Sequence, residues 1–356
     1  MKVDQLLPSL VAGDAISGHV VGVKRALEDL GHRSEIFVGE VGAYPVPGVT
    51  TRPAGELDAA ADAVFYHLSV GSSLTDRFLA LPGRRVVVYH NVTPPRFFEG
   101  WDPPMADVMR GGYADLERCA PLCALGIGDS ELDRSALDAA GFSPTDVLPI
   151  LIDPDALDVV PDPDAAADLG GRRRRGRIWL FVGRFAPNKC QADVVRAFAA
   201  YRRAVDPDAT LLLVGGRFTG SYQDAVLDLA ATLEVGDGVI ARGPVSQAEL
   251  AACYRAADVF VCLSEHEGFC VPLVEAMHHR VPVVAFAAGA VPETAGGAAV
   301  VLRDKDPVVV AAAVSEVLGD ERLRAEMVRR GSSRAQEFDI ARVRDRLPQL
   351  LDKAFG

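Results

Sequence analysis

Two glutamates with seven residues between them, Glu267 and Glu275, carry the clearest chemical signal in the sequence. The apolar run at 257–263 predicts a buried strand before them, and Pro272 suits the first turn of a helix, where no amide hydrogen is needed. The N-terminus of that helix would direct toward a ligand the amides of Gly268, Phe269, Cys270 and Val271. Carboxylates accept hydrogen bonds from neighbouring hydroxyls, so the segment predicts a polyol ligand. The alternative, a solvated Glu267 and a Glu275 that only complements the helix dipole, stays open at this point.

A glycine followed by two cations forms a second motif. Residues 177–182 predict another buried strand, and Gly183, Arg184 and Lys189 follow it before a helical pattern. Arginine offers a planar fork of donors and lysine a point charge, and both suit a diphosphate beside a helix N-terminus. The two motifs together predict a ligand with a phosphate end and a sugar end.

Both motifs resemble those of a known family. The Gly-Arg-x4-Lys pattern at 183–189 and the Glu-x7-Glu pattern at 267–275 closely resemble the retaining GT-B glycosyltransferases of glycosyltransferase family 4. The resemblance is strongest over residues 177–297. It implies a nucleotide-sugar-dependent enzyme of the hexosyltransferase type that requires no metal and no other cofactor.

The resemblance also implies roles for individual residues. Arg184 and Lys189 would stabilise the leaving diphosphate electrostatically. Glu267 would hold the donor sugar together with the amides of residues 268–271, and Glu275 would bind the ribose. His90, at the end of a strand predicted at 85–91, corresponds to a histidine that contacts the donor sugar. In the mechanism usually proposed for the family, the departing phosphate takes the proton of the acceptor.

Turns that contain glycine complete the implied donor site. The family brings main chain close to the diphosphate through the loop after its first strand, and Gly13 and Gly18 are the candidates here, although no Gly-Gly pair occurs. By the same resemblance, the base would lie against the turns at Gly215, Gly243 and Val245.

His19 and His67 are weaker candidates. Inverting GT-B enzymes place a general base near the position of His19, but no aspartate partner is evident for it and the C-terminal motifs are of the retaining type. We therefore predict no base role for His19. His67 could equally well be a structural histidine whose ring is hydrogen-bonded at the end of a strand. The same alternative applies to His90.

Composition and charge exclude several classes of protein. A chain of 356 residues with a net charge of -12 has room for two α/β domains and lacks the basic face that nucleic acids require. The six cysteines show no metal-ligand spacing with histidines, and we predict no metal site. Since no signal peptide and no membrane-spanning apolar run is evident, we expect a cytoplasmic protein. Peripheral contact with a membrane stays open.

Strand and helix patterns alternate in both halves of the chain. They predict an α/β protein of GT-B fold, with two Rossmann-like, doubly wound domains that face each other across a cleft. We place the acceptor-side domain at 1–165 and the nucleotide-sugar-binding domain at 166–338, with a helix at 339–356 crossing back onto the first. Residues 153–175 have the composition of a linker. Residues 147–153 are predicted as the last strand of the first domain, and the first helix is predicted to begin at Val20.

These patterns predict a retaining glycosyltransferase that moves a hexose-type sugar from a UDP- or GDP-sugar to an unidentified acceptor. That acceptor is a glycan, a lipid-linked molecule or a small molecule. Two alternatives remain: a GT-B sugar-nucleotide epimerase or hydrolase, and a non-catalytic subunit that binds sugar nucleotides. The aromatic segment at 94–102 either lines the acceptor cleft or packs as an ordinary loop.

Overall fold

The chain forms two compact units. The computed structural model describes residues 1–40, 46–58 and 60–356. Met1–Asp153 and Phe338–Gly356 form the first unit, and Pro154–Glu337 form the second. The first boundary lies before the predicted residue 165, because the segment that follows Asp153 packs with the second unit.

In the described part of the chain each unit contains one sheet, and all of the strand pairs are parallel. The first sheet has the order β3-β2-β1-β4-β5-β6-β7, with β1 (Val3–Ser9), β2 (Ile36–Glu40), β3 (Thr51–Pro53), β4 (Ala63–Leu68), β5 (Arg84–Tyr89), β6 (Leu125–Gly128) and β7 (Thr145–Val147). The second sheet has the order β10-β9-β8-β11-β12-β13, with β8 (Ile178–Val182), β9 (Thr210–Val214), β10 (Val239–Arg242), β11 (Val259–Cys262), β12 (Val283–Phe286) and β13 (Val300–Leu302).

Helices connect most of these strands, as parallel pairing demands. In chain order they are α1 (Ala15–Asp29), α2 (Leu74–Leu79), α3 (Pro103–Cys119), α4 (Glu131–Ala139), α5 (Pro154–Leu157), α6 (Pro163–Arg173), α7 (Gln191–Ala204), α8 (Gly220–Thr232), α9 (Gln247–Ala256), α10 (Val271–His278), α11 (Val291–Ala295), α12 (Pro307–Gly319), α13 (Glu321–Ala335), α14 (Ile340–Arg344) and α15 (Leu347–Phe355). The predicted fold class, two α/β units with parallel sheets, is confirmed.

The core of the first unit draws on both ends of the chain. Strands β1, β4, β5 and β6 pack with α1 and with apolar residues of the last two helices. Those C-terminal residues are Val343, Leu347, Leu350, Leu351 and Ala354. The second unit has its own core, which is built around Trp179 and Phe198 and includes apolar side chains of α12.

Three local predictions were wrong. The segment at 153–175 is mostly helical, because Asp-Pro pairs start helices well: Asp162 caps α6, and Pro163 occupies its first turn. The last strand of the first sheet ends at Val147, where it was predicted to begin, and Pro149 follows two residues later. Helix α1 begins at Ala15 rather than Val20, since the Asp14 side chain accepts a hydrogen bond from the amide of Ser17.

Candidate functional site

The two sequence motifs lie at the point where the strand order of the second sheet reverses. After β8 the chain adds β9 and β10 on one side and then returns to place β11 on the other side of β8. Residues 183–189 follow β8, and residues 263–270 follow β11. Open parallel sheets bind ligands outside the carboxyl ends of their strands at such a switch point. The fold therefore brings both predicted motifs to the binding edge of this sheet.

Glycines allow the loops after β8 and β9 to approach each other closely. A Cβ atom on Gly215 would lie 2.1 Å from the carbonyl oxygen of Gly183, closer than any side chain allows. The amide of Gly183 donates to the carbonyl of Val214 at 2.8 Å. Gly215 is thus required for packing, in addition to its predicted place on the base side.

Arg184 presents its guanidinium to solvent beside this close approach. The guanidinium lies over the ring of Phe218, 4.6 Å from the ring centroid, and the face of an aromatic ring attracts a cation. In the described parts of the chain no carboxylate forms an ion pair with Arg184. An exposed guanidinium without a carboxylate partner is available to an anionic ligand.

Lys189 and Glu267 form a close ion pair between the two motifs. The Lys189 Nζ lies 2.8 Å from both carboxylate oxygens of Glu267. The Lys189 side chain is 24% exposed and that of Glu267 8% exposed. Burial is the largest single influence on the pKa of Lys189 and lowers it, but the charge and hydrogen bond of Glu267, together with contributions from Cys270 and Cys262, raise this pKa above its usual value. Two residues predicted separately therefore act on each other directly.

Main-chain contacts hold the Glu267 loop from two sides. The amide of Glu265 donates to the carbonyl of Asn188 at 2.9 Å, which ties the two motif loops together. On the other side, the carbonyl of Glu267 accepts from the amide of Ala290 at 2.9 Å. A Cβ atom on Gly289, whose φ is +56°, would lie 2.2 Å from that same carbonyl oxygen. Glycine at position 289 is thus a condition for the placement of Glu267.

The amides at the start of α10 are largely available. Cys270 precedes the helix with a left-handed φ of 75°, and Pro272 lies in the first turn, as predicted. Within the described chain, no acceptor takes the amide hydrogens of Gly268, Cys270 or Val271. Phe269 is buried, and its carbonyl accepts from the hydroxyl of Thr294 at 2.6 Å. These amides can bind oxygen atoms of a ligand.

Glu275 has a partner that the sequence did not suggest. The hydroxyl of Tyr254, on α9, donates to one carboxylate oxygen of Glu275 at 2.6 Å and to the carbonyl of Pro272 at 3.3 Å. Burial raises the pKa of Glu275, and the bond from Tyr254 opposes that rise. The other carboxylate oxygen is left to accept from a ligand hydroxyl.

The predicted base-side residues lie along the same edge of the sheet. Gly215 follows β9, and Gly243 and Val245 follow β10, so the three occupy neighbouring loops. Gly243 is exposed, and no heavy atom lies within 4 Å of a Cβ placed on it. The motif Ser246–Glu249 after these residues forms the capping box that its sequence indicates.

The two glycines proposed for the first loop differ in structure. Gly13 lies in the loop between β1 and α1 with a φ of +77° and no atom near its Cβ position. Gly18 lies inside α1, and its amide donates to the carbonyl of Asp14 at 3.0 Å. Only Gly13 keeps the loop geometry assumed for both.

In the first unit, four buried side chains form a continuous hydrogen-bonded row, which we call the histidine chain: Gln5, His67, His90 and Asp129. They come from β1, β4 and the ends of β5 and β6. The Gln5 Oε1 lies 3.0 Å from His67 Nε2, His67 Nδ1 lies 2.9 Å from His90 Nε2, and His90 Nδ1 lies 2.8 Å from Asp129 Oδ2. Both ring nitrogens of His90 are thus engaged, and its side chain is 1% exposed.

The amide of Gln5 determines which atoms donate and which accept along the histidine chain. The Gln5 Nε2 donates to the carbonyl of Val20 at 3.0 Å, so Oε1 faces His67 and can only accept. His67 therefore carries a proton on Nε2, and it is neutral because burial lowers its pKa well below the usual value. Its Nδ1 must accept from His90 Nε2–H. The 2.8 Å contact between His90 Nδ1 and Asp129 Oδ2 then requires one further proton between these two atoms, and burial raises the pKa of Asp129.

His19 has the wrong proton placement for a general base. Its Nδ1 accepts a hydrogen bond from the amide of Leu151 at 3.2 Å, and burial lowers its pKa well below the usual value. The proton of the neutral ring is consequently on Nε2, which has no acceptor among the described residues. This arrangement agrees with the predicted absence of a base role.

Solved structures with the same architecture define the class of fold. The chain aligns with the Anabaena protein HepE in complex with UDP-glucose at a TM-score of 0.78, with 18% identity and 99% of each chain covered. It aligns with sucrose-phosphate synthase from Thermosynechococcus elongatus at a TM-score of 0.77, with 19% identity, over 100% of this chain and 99% of that one. The fold is therefore GT-B.

Sequence comparison adds the family. Residues 170–334, all within the second unit, match the model of the family described as "Glycosyl transferases group 1". The predicted resemblance is thereby confirmed at the level of group 1 glycosyltransferases.

Two curated relatives show how far the similarity extends. A D-inositol 3-phosphate glycosyltransferase of Kineococcus radiotolerans is 33% identical over 225 residues, 58% of this chain and 51% of that protein. A GDP-mannose-dependent alpha-(1-6)-phosphatidylinositol monomannoside mannosyltransferase of Mycolicibacterium smegmatis is 33% identical over 203 residues, 53% of this chain and 52% of that protein. The chain thus spans about half the length of the curated relatives it matches.

In the parts of the chain that the structure describes, no helix combines the length and the apolar character that a bilayer span requires.

Proposed function

We propose that this protein is a retaining glycosyltransferase that moves a hexose-type sugar from a UDP- or GDP-sugar to an acceptor and needs no divalent metal. The observation that carries the proposal is the direct pairing of Lys189 with Glu267 at the switch point of the second sheet, with Arg184 exposed on the neighbouring loop. The pair joins a phosphate-binding charge to a sugar-binding carboxylate.

Each group at this edge has a distinct task. Arg184 and Lys189 stabilise the charge that develops on the leaving diphosphate. Lys189 has three donors, so it can bind a phosphate oxygen while it keeps one oxygen of Glu267. Glu267 and the amides before α10 bind the hydroxyls of the sugar, and the second oxygen of Glu275 accepts from the ribose. By the same family resemblance, we also propose that His90 contacts the donor sugar.

The relatives suggest which molecules to offer first. One of them is named for GDP-mannose, and another for D-inositol 3-phosphate as the molecule on which it acts. We would titrate UDP-glucose, UDP-N-acetylglucosamine, GDP-mannose and ADP-glucose by calorimetry with a chelator present. Inositol 3-phosphate and a phosphatidylinositol mannoside would then serve as acceptors. Binding of one donor, and a product that keeps the anomeric configuration of that donor, are expected. An inverted product would contradict the retaining mechanism.

Arg184→Ala tests the site itself. A charged hydrogen bond contributes about 1.5–3 kcal/mol, so we expect the affinity for the donor to fall by about 10- to 100-fold. Arg175→Ala is a matched control, because Arg175 is also exposed but precedes the amino end of β8, at the opposite edge of the same sheet. Equal effects of the two substitutions, or none from Arg184→Ala, would remove the assigned site.

We also propose a cytoplasmic location. All six cysteines are free thiols, which fits a reducing compartment. Fractionation of cells that express the protein would test this location.

A further inference from the structure

Two cysteines flank the Glu267 carboxylate in the second unit. The Sγ of Cys262, the last residue of β11, lies 3.9 Å from the Sγ of Cys270, the residue before α10. A carboxylate oxygen of Glu267 lies within 4.8 Å of both sulfurs. All three residues are buried, and both cysteines are free thiols. The three groups therefore converge on one small volume.

The spacing of the sulfurs matches the coordination sphere of a thiophilic cation. Zinc binds cysteine sulfur at about 2.3 Å with tetrahedral geometry, which places two sulfurs on one ion about 3.8 Å apart. The observed 3.9 Å agrees with that edge. The hydroxyl of Ser264, 3.3 Å from the Cys262 sulfur, or a water molecule can complete four ligands.

We propose that Cys262, Cys270 and Glu267 form a binding site for a thiophilic divalent cation such as Zn²⁺. Each thiol gives up its proton when the cation binds, so one Zn²⁺ enters and two protons leave. Sulfur and carboxylate oxygen are both accepted zinc ligands, whereas Mg²⁺ and Ca²⁺ prefer oxygen alone. The site is therefore selective for soft cations.

Binding of the cation competes with Lys189. The Lys189 ammonium occupies both oxygens of Glu267 at 2.8 Å, so the cation must take one of them, and the two positive charges repel each other. The cation is thus an inhibitor and not a cofactor. This consequence for the donor rests on the proposed function, but binding of the cation does not.

The test is a titration of the reduced, metal-free full chain with Cd²⁺, which reports thiolate ligands through an ultraviolet charge-transfer band. We expect one Cd²⁺ per chain to produce this band and Zn²⁺ to displace it. Cys262→Ser and Cys270→Ser should each weaken binding by about 100-fold or more, since loss of a direct ligand exceeds the usual effect of a supporting residue. Cys253→Ser, a buried cysteine of α9 outside the cluster, is the matched control and should bind normally.

Two further measurements keep the proposal open to refutation if a cysteine variant folds poorly. Cadmium-113 NMR of the unaltered chain should show an ion with two sulfur ligands. Lys189→Met removes the competing charge and should tighten Cd²⁺ binding by about tenfold. Absence of the charge-transfer band, equal loss in Cys253→Ser, or weaker binding by Lys189→Met would overturn the site. A chain that binds Cd²⁺ in this way but no sugar nucleotide would keep this site and refute the proposed function.

Discussion

Replacing Glu267 by glutamine tests how far Lys189 depends on its carboxylate partner. Glutamine keeps the size of the side chain but leaves the ammonium of Lys189, whose side chain is only 24% exposed, without an anion. Breaking a fully buried ion pair from one side costs about 3–5 kcal/mol, and breaking an exposed pair about 0–1 kcal/mol. Because Lys189 keeps some contact with water, we expect the free energy of unfolding of the second unit to fall by about 2–3 kcal/mol.

The chain offers an internal reporter for this measurement. It has two tryptophans: Trp179 is fully buried in the second unit, and Trp101 is 41% exposed in the first. In a Trp101→Phe background, the fluorescence of Trp179 follows the unfolding of the second unit in urea. At about 2–4 °C per kcal/mol, the same loss should lower the melting temperature by about 4–12 °C.

A double variant gives the decisive comparison. Lys189→Met with Glu267→Gln leaves no unpaired charge, so it should recover most of the lost stability. Glu326→Gln, which breaks exposed ion pairs with Arg329 and Arg330, is the control and should change the stability far less. If the single losses simply add in the double variant, or if Glu267→Gln unfolds like the unaltered protein, the ion pair is not the stabilising contact that its geometry indicates.

The stabilisation that the Lys189–Glu267 ion pair gives to the folded protein should depend on pH in a defined direction. Since the pKa of Lys189 is raised in the folded protein, its stabilisation is complete below the unfolded pKa of about 10.4 and is lost as the pH rises through the higher folded value. The coupling free energy between Lys189 and Glu267, obtained from the single and double variants, should therefore be equal at about pH 7 and about pH 9.

Two other features give simple tests. Gly289→Ala places a methyl group against the carbonyl of Glu267 and should abolish donor binding. Gly297→Ala is the control: its φ is also positive, at +78°, but no atom lies near the new methyl, so it should lower stability and leave donor binding intact. Calorimetric titration with the donor distinguishes the two variants. Nitrogen-15 NMR should show His67 as a neutral ring protonated on Nε2; a proton on Nδ1 alone would mean that the Gln5 amide is turned the other way.

The motif loops were predictable because their signals are local. A buried strand, a glycine turn and a proline at the start of a helix follow one another within short segments, and each fixes its own geometry. The pairing of Lys189 with Glu267 was not deduced from the pattern, because those residues are 78 positions apart and meet only when β8 and β11 become neighbours.

Other features depend on contacts that no local pattern records. The histidine chain gathers residues from β1, β4 and the ends of β5 and β6, and Asp129, which shares a proton with His90, was not among the predicted residues. The hydroxyl of Tyr254 reaches Glu275 from a different helix. The composition of residues 153–175 suggested a linker, but a capping aspartate followed by proline was the stronger signal, and it made a helix. Sequence patterns thus identified residues whose side chains could take part in binding or catalysis. The order of the strands in the sheets determined which of these residues lie next to each other.

The return of the C-terminal segment to the first unit has a consequence during synthesis on the ribosome. The core of that unit needs Leu347, Leu350 and Leu351, which are translated after the whole of the second unit. Residues 154–337 contain all the strands of the second sheet, so the second unit can complete its fold before the first. A nascent chain would therefore carry an unfinished first unit, with apolar surface open to chaperones, until α14 and α15 emerge.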